Sequence, residues 1–203
     1  MRVNTIRLRV VLGILAILLP WIVALLNGEI PKSISATYYV PQCITPFMGI
    51  LVSSSILLMC YKGYDRQDDL ILSLSGITGL CICLFPTYTT LYETVGTFQL
   101  VPKTSSMLHN ISAIVFFGLL AYNSFFLFTK GSDTPTRNKK IRNIIYRVCA
   151  VGMIASFLIM LLPEFRIQVW LVETIALFFF GLSFLTKADV FPFLFCDSPY
   201  EDD

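Results

Sequence analysis

Val10-Val11-Leu12-Gly13-Ile14-Leu15-Ala16-Ile17-Leu18-Leu19-Pro20-Trp21-Ile22-Val23-Ala24-Leu25-Leu26 is the stretch that decides the fold: it carries no charge and follows Arg2, Arg7 and Arg9. A helix rises about 1.5 Å per residue and a bilayer core is about 30 Å thick, so a run of this length with its flanks is long enough to span. A basic start followed by an apolar run also opens a secretory signal peptide. Here no small-x-small cleavage pattern precedes Asn27 and further apolar runs follow. The segment is therefore predicted to remain as an uncleaved signal-anchor helix.

Working outward, five more apolar runs occupy 43–61, 70–86, 107–128, 144–162 and 169–186, beside the first at 10–26. The composition agrees. The 203 residues are 56% hydrophobic and 14% charged, with a mean hydropathy of +0.74, well beyond the usage of a soluble domain. Six spans with short connections use up nearly the whole chain, which predicts an all-α, polytopic six-helix bundle as one integral membrane domain over 1–203. Small residues recur at helical spacing (Gly49 and Ser53; Ser75, Gly79 and Cys83; Gly152 and Ser156) and predict close helix packing in lipid. The tail, 188–203, carries Phe191, Pro192, Phe193, Leu194 and Phe195 ahead of an acidic end, the pattern of an interfacial segment with a disordered tip.

Orientation follows from the basic residues. Twelve of the fifteen Lys and Arg lie at the N-terminus, the second and fourth connections with their flanks, and the tail; Lys32, Lys103 and Arg166 alone lie opposite. The positive-inside rule puts both termini in the cytoplasm, as six spans require. Asp68 and Asp69 are expected to cap the third span at its inner end. A net charge of +2 argues against a nucleic-acid partner. Of six cysteines, only Cys43 sits near the outer face, so no disulfide framework is expected. The sole sequon, Asn110-Ile111-Ser112, abuts a span, and a bacterial-type inner (plasma) membrane is the expected location.

Two ionisable residues fall where lipid makes them costly: His109, the single histidine, near the start of the fourth span, and Glu173, near the start of the sixth. Both helices enter from the outer side, so the two can meet, with Glu173 a site candidate and His109 its natural partner; the alternative is that His109 sits at the interface against headgroups and Glu173 only pins the bundle through a hydrogen bond. Ser35, Tyr38 and Tyr39 from the first outer loop and Trp170 from the sixth span complete the expected outer pocket, the aromatic side chains framing it. One histidine is too few for a zinc site, and neither a nucleophile elbow nor a phosphate-binding Gly-rich loop is present; no metal or cofactor is expected. Ser33 or Ser35 with His109 and Glu173 has the residue types of a serine hydrolase relay.

The inner side offers a second candidate. Arg137, Lys139, Lys140 and Arg142 crowd the membrane edge of the fifth span, where each basic residue attracts anionic headgroups by about 1 kcal/mol. They are expected to touch lipid headgroups or a cytoplasmic protein partner.

Ile34-Ser35 with Pro41, His109 followed by Ala113, Phe116 and Tyr122, and Trp170 with Glu173 resemble the Frag1/DRAM/Sfk1 family of six-helix membrane proteins, and the layout is also similar to bacterial DUF998-type six-helix proteins. The first resemblance implies a role around membrane lipids or lipid-anchored proteins, carried by Ser35, His109 and Glu173. The function expected from the sequence is non-enzymatic binding or organisation of a lipid or lipid-like amphiphile at the outer leaflet. The alternatives are a membrane-embedded lipid hydrolase or transferase using a His-Glu pair, and an accessory protein engaging a cytoplasmic partner through the basic inner loop.

Overall fold

A computed structural model describes residues 2–131, 136–160 and 168–190. Six α-helices follow in order: α1 (Arg2–Asn27), α2 (Pro41–Met59), α3 (Arg66–Leu84), α4 (Pro102–Tyr122), α5 (Arg137–Met160) and α6 (Val169–Lys187). A 3₁₀ turn, Ser35–Tyr39, precedes α2, and a π turn, Asn123–Leu127, prolongs α4. All six helices are long and apolar enough to cross a membrane, and the chain is a multi-pass membrane protein. Among the described residues the one β feature is an antiparallel bridge between Val95 and Leu100 in the second outer loop.

Local chemistry sets the helix ends. Pro41 and Pro102 stand in the first turns of α2 and α4, where a missing N–H costs nothing and φ is already helical. Phe85 precedes Pro86 and has left the helical region as the C-cap of α3, as the clash with a following proline dictates. The true N-cap of α3 is Asp65, whose carboxylate accepts the N–H groups of Gln67 and Asp68, both at 3.0 Å. Asp68 and Asp69, the expected caps, lie in the first turn and reach back to the N–H groups of Tyr64 and Gly63. The helices α1, α3, α4 and α5 also begin four or more residues before their apolar runs. Hydropathy marks the stretch inside hydrocarbon, whereas backbone hydrogen bonding continues into the interface, where charge is cheap. The expected end of the fifth span beyond Met160, the interfacial tail from Phe191 onward and Cys196 lie outside the described residues.

Consecutive helices pack side by side, and α6 returns against α1, closing a ring in chain order. Its axis is filled by rings in edge-on contact: Phe116 on Phe180 at 6.3 Å, Phe180 on Phe184 at 4.9 Å, and Phe184 on Phe128 at 5.0 Å. Phe180 and Phe184 are fully buried. This plug separates two cavities, one at each end of the ring. The α1–α6 contact is close because two glycines face each other: a Cβ on Gly181 would sit 2.7 Å from the carbonyl oxygen of Gly13.

Candidate functional site

The first outer loop is tied down onto α6. The carbonyl of Lys32 accepts the N–H of Trp170 at 3.1 Å. Three successive residues of the loop then donate to one carboxylate: Ser33 Oγ to Glu173 Oε1 at 3.0 Å, Ile34 N to Oε2 at 2.5 Å, and Ser35 Oγ to Oε1 at 3.1 Å. A membrane carboxylate needs internal partners, and Glu173 finds them in the N-terminal turn of the 3₁₀ segment rather than in His109.

His109 is buried at 5% exposure and serves another helix end. Its Nδ1 stands 2.8 Å from the carbonyl oxygen of Phe85, and Ser105, one turn earlier on the same face of α4, donates to the carbonyl of Pro86 at 2.7 Å. Carbonyls released by the end of α3 lack helical partners, and α4 supplies them with two. A carbonyl has no proton to give, so Nδ1 carries it, and in the neutral ring Nε2 is left as an acceptor. Helix α4 begins at Pro102, placing His109 seven residues in, roughly 10 Å along the helix and deeper than the apolar run alone suggested.

His109 and Glu173, which the sequence left free to pair or to stand apart, make no direct contact: among the described residues no hydrogen bond or ion pair joins them, and each is held by a different loop. They do border the same space. A cavity of about 330 Å³ on the ring axis takes wall from all six helices and is apolar apart from Ser35, His109, Asn110 and Glu173. It reaches the outside of the ring at Asn110, Ile114 and Val169, all exposed. Phe116, Phe117, Leu51 and Leu177 line its deeper part.

Of the expected frame, Ser35 borders this cavity, while Tyr38, Tyr39 and Trp170 do not. Tyr38 and Tyr39 line a separate surface cleft with Tyr92 and Gln99. The Tyr39 hydroxyl donates to the carbonyl of Thr87 at 2.6 Å, joining the two outer loops, and burial pushes its pKa up to about 12, with Tyr38 and Tyr92 adding to the shift. Trp170 packs edge-on against Trp21 at 5.7 Å on the α1 side. The serine, histidine and carboxylate are all present, yet a hydrolase relay is not assembled. The serine hydroxyls donate directly to Glu173, and the histidine nitrogen that a carboxylate would orient is taken by a backbone carbonyl. Ser105 carried no signal in the sequence, and Asn110 stood out only as part of the sequon, since each is an ordinary polar residue near a helix start.

At the inner end, the basic cluster divides. Lys139 and Arg142 line the second cavity, of about 180 Å³, together with Arg9, Lys130 and Lys187. Arg137 and Lys140 are exposed and outside it. Lys187 Nζ donates to the carbonyl of Phe128 at 3.0 Å and lies over the rings of Tyr64, Phe128 and Tyr146 at 5.4, 5.3 and 5.7 Å. Arg9 donates to the Tyr61 hydroxyl at 2.7 Å and to the Lys187 carbonyl at 3.0 Å. No family model, curated protein or solved structure matches the chain.

Proposed function

We propose that the protein is a non-enzymatic membrane protein that binds or organises a lipid-like amphiphile entering the outer half of the ring from the membrane. The observation that carries this reading is the form of the outer cavity: apolar over most of its wall, reaching the lipid-facing surface beside Ile114, and polar at one end where Ser35, His109, Asn110 and Glu173 gather. A volume of about 330 Å³ is at the small end for ligand pockets, so one chain or a compact amphiphile is the fit.

The polar end also selects chemistry. Glu173 is an acceptor, as is the His109 Nε2 whenever the ring is neutral with its proton on Nδ1, and Asn110 adds N–H donors with no hydrogen-bond partner among the described residues. The matching headgroup donates hydrogen bonds through a hydroxyl or an amine. The resemblance to Frag1/DRAM/Sfk1 proteins points toward lipids as well, and all three residues it singles out, Ser35, His109 and Glu173, border the cavity.

The first variant fills the space and leaves the loop anchors alone; the second changes His109, which also holds the Phe85 carbonyl. Ala113 lines the cavity, and Ala113→Trp is expected to abolish co-purification of a defined amphiphile in lipid-resolved native mass spectrometry. His109→Gln is expected to weaken retention about tenfold, the worth of one buried hydrogen bond at the upper end of its range. Identical, unselective lipid profiles in wild type and both folded variants would sink the proposal.

A further inference from the structure

We propose that the inner cavity binds a doubly charged phosphate group, borne by the headgroup of an anionic lipid or by a soluble phosphate ester. Five cations from separate parts of the chain line it: Arg9 of α1, Lys130 after α4, Lys139 and Arg142 of α5, and Lys187 at the end of α6. All five are half-buried, and charge withdrawn from water is retained only where it is paired. The pairing falls short. Asp189 binds Arg142 at 2.7 Å, and Asp65 and Asp68 hold Lys130 at 2.9 and 2.6 Å. Arg9 and Lys187 contact hydroxyl, carbonyl and aromatic groups, and neither they nor Lys139 meet a carboxylate among the described residues.

Among the described residues three carboxylates are set against these five cations, leaving two positive charges, which match the two negative charges of a phosphate monoester. The wall is built to keep them in place. The π faces of Tyr64, Phe128 and Tyr146 hold the Lys187 ammonium without neutralising it. Gly131 leaves the room that the Lys139 ammonium occupies, which a Cβ there would overlap. Asn143 borders the same cavity, and its Oδ1 is buried without a hydrogen-bond partner, ready to accept from a hydroxyl on the group that carries the phosphate. A space of about 180 Å³ admits a phosphate and little of its carrier. The rest of the ligand therefore extends out, toward the inner leaflet or toward water.

The experiment uses the full chain in phosphatidylcholine nanodiscs, in similar discs doped with phosphatidic acid, and in phosphatidylcholine discs with added glycerol 3-phosphate. Thermal stability and lipid retention are the readouts. Stabilisation by phosphatidic acid alone supports the proposal with a lipid headgroup as source, and stabilisation by glycerol 3-phosphate supports it with a soluble ester. Lys139→Gln and Lys187→Met are each expected to weaken the effect about tenfold, the loss of one charge-assisted hydrogen bond. The double variant Arg137→Gln/Lys140→Gln removes two exposed charges beside the cavity and is expected to change it less than about twofold, as surface charges do. Lys139 and Lys187 are tested separately so that misfolding of one variant leaves the other to decide. Equal losses in the cavity and surface variants, or no stabilisation by either phosphate source, would overturn the proposal.

Discussion

Lys130 closes the inner end of the α2–α3 connection through one ammonium shared between Asp65 and Asp68, at 2.9 and 2.6 Å. Asp68 is buried at 3% exposure and also accepts from Tyr64 N. Removing the cation leaves a buried carboxylate short of a partner, so Lys130→Met is expected to cost about 2 kcal/mol, read as a lowered unfolding midpoint in mixed micelles. The pair is also legible in pH. The Lys130 hydrogen bond and the backbone N–H of Asp68 hold the Asp65 carboxyl down at about 2. A depressed carboxylate contributes stability that is whole above its unfolded value, near 4, and is lost as pH falls toward 2. For Lys130, burial opposes the charge, but its bonds to Asp65 and Asp68 prevail and raise its pKa, so its share persists at neutral pH and fades only in strong alkali. A carboxyl NMR titration that shows Asp65 protonating near 4 would contradict this geometry. At this scale the sequence exposed the costly groups and hid their partners. Glu173 and His109 stood out as lone ionisable residues in apolar runs, but the groups that hold them include the Ile34 N–H and the Phe85 carbonyl, and backbone atoms leave no mark in residue types.

Helix packing separates small residues that matter from those that do not. The spacing of small residues correctly marks Gly79, which faces Ser55 and Phe116, and Gly152, which faces Phe179. It fails at Gly49, around which an added Cβ meets nothing within 4 Å. It also misses Gly13, whose small counterpart is Gly181 on α6 rather than a residue one turn away on α1. A pattern along one helix cannot show which glycine another helix will bring. Gly181→Leu is therefore expected to cost about 3 kcal/mol, since the new side chain meets the backbone of α1 and cannot be absorbed by a rotamer change. Gly49→Ala is expected to be neutral or to stabilise by about 0.5 kcal/mol through helix propensity. Unfolding midpoints of the two variants side by side check the contrast, and comparable losses in both would show that the α1–α6 approach is not tight. The same limit explains Tyr38, Tyr39 and Trp170: their positions near the outer interface were readable, but whether they turn toward the axis or away from it depends on how the 3₁₀ turn sits on α6.

For the whole molecule, hydropathy was enough to count six helices, and short connections made consecutive ones neighbours. Closure of the ring by α6 against α1, and the unfilled volumes at its two ends, come from side-chain shape and so lay beyond the sequence pattern. The two ends also differ in chemistry: acceptors and apolar wall outside, excess positive charge inside. Their assignment to opposite sides of the membrane rests on the Lys and Arg asymmetry, and one cysteine makes it measurable. Of the described cysteines, Cys43, Cys83 and Cys149 are buried and Cys81 is half-buried, while Cys60 is exposed at the inner end of α2. In a Cys196→Ser background, a membrane-impermeant maleimide is expected to leave Cys60 unmodified in intact cells and to label it once the membrane is permeabilised. Leu91, 70% exposed in the second outer loop, supplies the converse, since Leu91→Cys is expected to react in intact cells. Labelling of Cys60 from outside, with Leu91→Cys protected, would invert the molecule. The acceptor-lined cavity would then face the cytoplasm and the phosphate cradle the outer leaflet, and each proposed ligand would have to come from the opposite side.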